Sequence, residues 1–152
     1  MEVTTRSLEE FKQQARREAA GLVARKDSAT IVALSGDLGA GKTVFVQAVA
    51  AHFGIPEPVT SPTFVIQKIY NFPNVGHPVS YMGFKRLVHI DAYRLKGARD
   101  LEILGWKEIV ADPENLILIE WPERIADAIP KYAIQISLSG SEQSRFITIA
   151  EG

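Results

Sequence analysis

The sequence predicts an α/β sandwich with a mixed, mostly parallel central sheet, helices on both faces and antiparallel hairpin additions. Apolar runs at residues 30–34 (TIVAL) and 116–119 (LILI) have strand length and no polar face, as strands covered on both sides do. Stretches of helical periodicity lie between strand-length runs, and that alternation implies layered α/β architecture. Near the C-terminus the pattern changes to strict alternation, which implies a hairpin added to the sheet.

Taken in order, Ser7-Leu8-Glu9-Glu10 has the S-x-x-E spacing of a capping box and opens a predicted helix running to about residue 26. Leu8, Phe11, Ala15, Ala19, Leu22 and Val23 fall at helical spacing and predict one apolar face. Residues 30–34 are a strand, 36–41 a loop, and 42 to about 53 a Val- and Ala-rich helix stopped by Gly54 and Pro56. A strand is expected over 64–70, a loop or hairpin tip over 71–83, and a second strand over 87–90. Residues 98–104 read as a short helix ended by Gly105, and 116–119 as a third buried strand. Alternation over 133–138 and 146–149, around a turn containing Gly140, predicts the closing hairpin. No repeat, low-complexity tract or linker divides the chain, so residues 1–152 are expected to form a single domain.

Composition narrows the function classes. Of 152 residues, 46% are hydrophobic and 23% charged, a globular balance rather than a disordered one. A net charge of −1 gives no global attraction to nucleic acid or to an anionic membrane. The absence of cysteine excludes disulfides and thiolate zinc sites. No basic segment precedes an apolar one at the N-terminus, and the apolar runs are far too short to span a bilayer, so a cytoplasmic protein is expected.

Residues 36–43 read Gly36-Asp37-Leu38-Gly39-Ala40-Gly41-Lys42-Thr43 and fit G-x-x-x-x-G-K-[ST] without a mismatch. Glycines let successive backbone N–H groups point into one concavity, and the following helix adds its positive end. The main chain of Asp37, Leu38, Gly39, Ala40 and Gly41 is the expected phosphate cradle. Lys42 would reach the β- and γ-phosphates, and the Thr43 hydroxyl would face Mg²⁺. At this composition a chance match anywhere in the chain is roughly 0.4%. The motif sharpens the fold expectation to a P-loop NTPase-like sandwich taking ATP or ADP with Mg²⁺.

Such a loop needs a second metal anchor and a group that orients water. Acids at the C-terminal ends of buried strands are the candidates, because ligands of parallel sheets sit at that edge. Asp91 follows Leu-Val-His-Ile and Glu120 follows Leu-Ile-Leu-Ile; on pattern alone either could fill the role. Thr60-Ser61-Pro62-Thr63-Phe64 lies where many P-loop proteins keep a nucleotide-sensing switch. His89 alternates with apolar residues and reads as a satisfied sheet histidine. Trp106 and Trp121 read as core, although Trp121 directly follows Glu120 and would lie at the rim of the site.

Five motifs occur in order: the 36–43 loop, Thr-Ser-Pro-Thr-Phe, His-Ile-Asp-Ala-Tyr-Arg-Leu, Leu-Gly-Trp-Lys-Glu and Ile-Glu-Trp-Pro-Glu-Arg. Together they resemble the TsaE (YjeE) family, bacterial P-loop ATPases required for the threonylcarbamoyladenosine modification of tRNA. The resemblance implies Lys42 and Thr43 as phosphate and Mg²⁺ ligands, Thr63 as a switch threonine, Asp91 and Glu120 at the metal, and Trp121 as the aromatic beside them. It thus implies a catalytic set of Lys42, Thr63, Asp91 and Glu120, and metal ligation by Thr43, Asp91 and Glu120. An adenine-side contact falls near residues 7–10, which adds Glu10 to the cofactor-binding set. The implied partner is the TsaB–TsaD heterodimer, with tRNA involved only indirectly; ATP turnover would reset that complex.

Val44, Ala48 and Phe11 depart from residues common in the family, and the loop over 72–83 looks particular to this sequence. A small-molecule kinase or a non-enzymatic nucleotide module on the same scaffold are the alternatives. The chain has no R-x-x-R lid cluster and no guanine-reading N-K-x-D. No in-cis arginine finger is evident; Arg94 and Arg124 are candidates without a place.

Overall fold

The computed structural model describes residues 1–60, 66–73, 81–141 and 143–150. Its strands are β1 (Glu2–Thr5), β2 (Thr30–Ser35), β3 (Gln67–Asn71), β4 (Arg86–Asp91), β5 (Asn115–Glu120), β6 (Ile134–Ser141) and β7 (Ser144–Ala150). They form one sheet in the order β1-β7-β6-β2-β5-β4-β3. The central four, β6, β2, β5 and β4, run parallel. β7, β1 and β3 extend them by antiparallel pairing. The expected mixed sheet, parallel at its centre with hairpin additions, is what the chain forms.

The helices are α1 (Leu8–Ala20), α2 (Lys42–His52), α3 (Arg99–Glu102) and α4 (Trp106–Ala111), with a 3₁₀ segment over Pro122–Ala128. Alternation along each strand sorts the apolar side chains onto two faces. Val32 and Leu34 of β2 and Leu116 and Leu118 of β5 join Phe11, Ala15, Phe45 and Val49 in the cluster under α1 and α2. Ile31, Ile117, Ile119, Val88 and Ile90 join Leu101, Trp106 and Ile125 in the cluster under α3, α4 and the 3₁₀ segment. Helices therefore cover both faces, and the unbroken apolar runs of β2 and β5 follow from that double burial.

Several expected boundaries move. α1 stops at Ala20, not near residue 26, because Gly21 caps it by donating its N–H to the Arg17 and Glu18 carbonyls, each at 3.2 Å. Val23, beyond that end, and Leu8, in the first turn, are exposed rather than on the buried face. β1 escapes a pattern reading because Glu-Val-Thr-Thr is short and polar; it is a strand only because β7 offers an edge, pairing Val3 with Ile147. α4 and the 3₁₀ segment are also absent from the sequence expectation, being too short for a periodic signal. Gly140 lies in β6, opposite Arg145, so the hairpin reverses beyond it. The beginning of the strand expected over 64–70 and most of the 71–83 loop lie outside the described residues. Among those described, no helix is long and apolar enough to cross a membrane.

One end of the core is aromatic. Phe53 stacks on Phe72 with ring centroids 4.7 Å apart and meets Phe84 edge-on at 6.2 Å. Phe53→Ala removes the ring that joins α2 to the β3–β4 end of the sheet, and a loss of about 3–5 kcal/mol is expected. Urea denaturation measures it, and an unchanged midpoint would contradict this account of the core.

Candidate functional site

β2 delivers the chain to Gly36, whose φ of 152° and surroundings leave no space for a side chain. A Cβ there would lie 2.5 Å from the Leu138 carbonyl oxygen of β6. Gly41 closes the loop in the left-handed region at φ 107°, and a Cβ on it would lie 2.9 Å from the Phe11 ring. The loop is thus held between a β6 carbonyl and an α1 ring. No side chain caps α2, so its first N–H groups stand free for an anion. Lys42 begins that helix and folds back over the loop, donating its ammonium to the carbonyls of Gly36 and Asp37, the latter at 3.1 Å.

Strand alternation places the acids. Leu116 and Leu118 face α2, so Glu120 does too; Leu87 faces α2, so His89 and Asp91 follow. The parallel register sets Glu120 beside Leu34 on one side and Asp91 on the other. Glu120, only 3% exposed, accepts the Thr43 hydroxyl at 3.3 Å and the His89 Nε2 hydrogen at 2.6 Å. Asp91 accepts the Tyr93 N–H at 3.0 Å. Burial pushes the Lys42 ammonium below its ordinary 10.5, while Glu120, Glu123, Asp91 and Asp37 pull the other way.

Aromatic rings wall the mouth. Trp121 adopts a left-handed backbone, φ 59° and ψ 50°, a costly conformation for a bulky residue that recurs at functional sites. The turn puts its indole 3.9 Å from the Lys42 ammonium. Tyr93 packs on Trp121 at 5.0 Å, and Arg124 lies over Tyr93 at 5.2 Å. The result is a cleft of about 470 Å³ touched by the loop, Thr43, Asp91, Glu120, Trp121 and Arg145.

Of the residues singled out from sequence, Leu38, Gly39, Gly41, Lys42, Thr43, Asp91, Glu120 and Trp121 meet at this cleft. Asp37 and Ala40 complete the loop behind it, the Ala40 N–H turning back to the Asp37 carbonyl at 3.0 Å. Glu10 does not line the cleft; its carboxylate accepts the Arg6 N–H at 3.3 Å on the first turn of α1. Thr63, with Ser61, Pro62 and Phe64, lies outside the described residues. His89 is the buried sheet histidine expected: its Nε2 is bonded to Glu120, and only Nδ1 is left without a partner. Its position two residues before Asp91, hence on the same face of β4, is the signal that could have found it. Trp106 is core, as expected.

A hydroxyl and nearby carboxylates are hard oxygen donors that suit Mg²⁺. Among the described residues no group of three or more His, Asp or Glu could hold a metal alone. A cation at Thr43 and Glu120 would complete its shell with water or phosphate oxygens. The His89–Glu120 contact carries a prediction. His89→Ala leaves a buried carboxylate with the Thr43 hydroxyl alone, so a loss of about 2–4 kcal/mol is expected in chemical denaturation. A change below about 0.5 kcal/mol would show the contact is not holding Glu120.

The family model described as threonylcarbamoyl adenosine biosynthesis protein TsaE matches residues 5–147. The tRNA threonylcarbamoyladenosine biosynthesis protein TsaE of Treponema pallidum is 37% identical over 125 residues, 82% of this chain and 84% of its own. That of Borreliella burgdorferi is 35% identical over 114 residues, 73% of this chain and 75% of its own. The crystal structure of Bacillus subtilis YdiB superposes with a TM-score of 0.73 at 30% identity, covering 100% of this chain and 86% of that one. Motifs, fold and relatives agree: the chain belongs to the TsaE family.

Proposed function

We propose that this chain, acting as one P-loop domain, binds Mg·ATP in the cleft and hydrolyses it slowly. Hydrolysis drives or resets the TsaB–TsaD complex during threonylcarbamoyladenosine modification of tRNA. The observation that carries the reading is convergence. An uncapped helix N-terminus, a buried lysine, a hydroxyl and two strand-end acids meet on one cleft.

Each side chain then has a role. Lys42 exchanges its carbonyl partners for phosphate oxygens, which returns its ammonium to fully charged company. Thr43 with Glu120 or Asp91 would hold Mg²⁺. When bound, that ion neutralises phosphate charge and polarises the phosphoryl oxygens. His89 keeps the Glu120 carboxylate in one orientation. Glu120 or Asp91 orients the water whose oxygen attacks the γ-phosphorus as the bond to ADP breaks. Thr63 is assigned to sensing the γ-phosphate, on the family resemblance. Trp121 and Tyr93 exclude water from the ammonium side. The partner assignment and the cytoplasmic setting also rest on the family. With a net charge of −1, tRNA is reached through the partner complex rather than held directly.

Calorimetry with Mg·ADP and turnover assays test the reading. Lys42→Ala should weaken nucleotide binding at least about tenfold, since a charge-assisted bond to phosphate is worth about 1.5–3 kcal/mol. Glu120→Gln should still bind ATP while losing roughly 100-fold in turnover. Adding purified TsaB–TsaD should raise wild-type turnover. Fast hydrolysis by the chain alone, indifferent to those partners, would reject the regulatory role.

A further inference from the structure

A second cavity, of about 180 Å³, lies between the last turns of α1 and the sheet, away from the cleft. Its floor is Val32, Phe45, Val49 and Leu118, none more than 2% exposed. Ala19 lines it from the helix side. Thr30 opens β2 at the end opposite Gly36, six residues and about 20 Å along the strand. Among the described residues lining the cavity, Glu18 is the one charged side chain, half-buried at the rim. Both polar side chains offer acceptors. Thr30 donates its hydroxyl to the Val23 carbonyl at 3.2 Å, which leaves the oxygen lone pairs. Glu18 takes one N–H from Gln14 at 3.0 Å, and a carboxylate has room for more.

Side chains around a void lose packing contacts, and an apolar cavity of about 150 Å³ is enough to take up a benzene ring. The floor therefore suits a ring. Two acceptors, one of them anionic, ask for a donor with positive charge, and Glu18 would repel a carboxylate. We infer that this cavity is a binding site for a compact aromatic amine, its ring on the floor and its ammonium at Glu18 and Thr30. One chain of contacts carries its effect to the cleft. Phe45 meets Phe11 edge-on at 6.2 Å, and Phe11 is the ring that closes on Gly41. Phe45 also donates its N–H to the Gly41 carbonyl at 2.9 Å. A ring filling the void braces Phe45 and with it the loop, so amine and nucleotide strengthen each other's binding. That coupling rests on the nucleotide reading above; the amine site does not.

The test is calorimetric titration of the full chain, without nucleotide, with 2-phenylethylamine, 2-phenylethanol and phenylacetate. Expected is saturable binding in the order amine, alcohol, carboxylate, the last at least about tenfold weaker than the first. Ala19→Leu, which fills the cavity from α1, should abolish amine binding. Glu18→Gln should weaken the amine about tenfold and leave the alcohol within about twofold, and it covers the case of a Leu variant that does not fold. No saturable uptake of the amine, equal affinity for all three compounds, or binding undiminished in a folded variant would overturn the site. With the cavity saturated, Mg·ADP should bind about fivefold tighter. An unchanged ADP affinity beside clear amine binding would overturn the coupling. Wild type that takes up the amine but no ADP would instead remove the nucleotide reading and leave the amine site standing.

Discussion

Parallel pairing of β2 with β5, and of β5 with β4, is the constraint from which the rest follows. It brings three strand ends to one edge in register, so that Leu34, Glu120 and Asp91 stand side by side. The pleat then allots every second residue to the face under α2. One apolar residue more or less in Leu-Ile-Leu-Ile would turn Glu120 to the opposite face, away from Thr43. The double burial that makes β5 apolar throughout also gives its terminal carboxylate a low-dielectric setting.

Charges in such a setting must be answered, and here they answer one another. Glu120 is shared between Thr43 and His89, and Lys42 rests on loop carbonyls and an indole face. Burial works against the lysine's charge while four carboxylates support it, a balance that incoming phosphates would tip toward the ammonium. The left-handed turn at Trp121 belongs to the same economy of space: only by reversing there does the chain lay an indole on Lys42 before the 3₁₀ segment begins.

The Gly-rich loop after β2 and both strand-end acids were legible in the sequence because each depends on local order. A glycine spacing dictates backbone angles, and an acid following four apolar residues marks a strand end. His89 was only half legible. Its alternation gave the strand, but its bond to Glu120 crosses between β4 and β5 and needs their register. Arg145 was not legible at all. It lies 104 positions beyond Gly41 in numbering, on a strand whose pattern reads as an ordinary hairpin, and only strand order brings it to the loop. β1 failed for a related reason: its four residues have little strand preference of their own and take that state from β7.

The elements flanking the β2 side of the sheet are therefore more than edge decoration. β6 covers the flank of β2 that a parallel strand cannot leave to solvent, and its Leu138 carbonyl leaves Gly36 room for nothing but hydrogen. α1, entered through β1, presses Phe11 against Gly41 from the other direction. Loop shape is thus imposed by two segments distant in sequence, which is why a Gly-rich stretch, floppy by itself, can hold its amides in one arrangement before any ligand arrives. With acids on the β5–β4 flank and a lone guanidinium on the β7 flank, the same strand order that shapes the loop also gives it a direction.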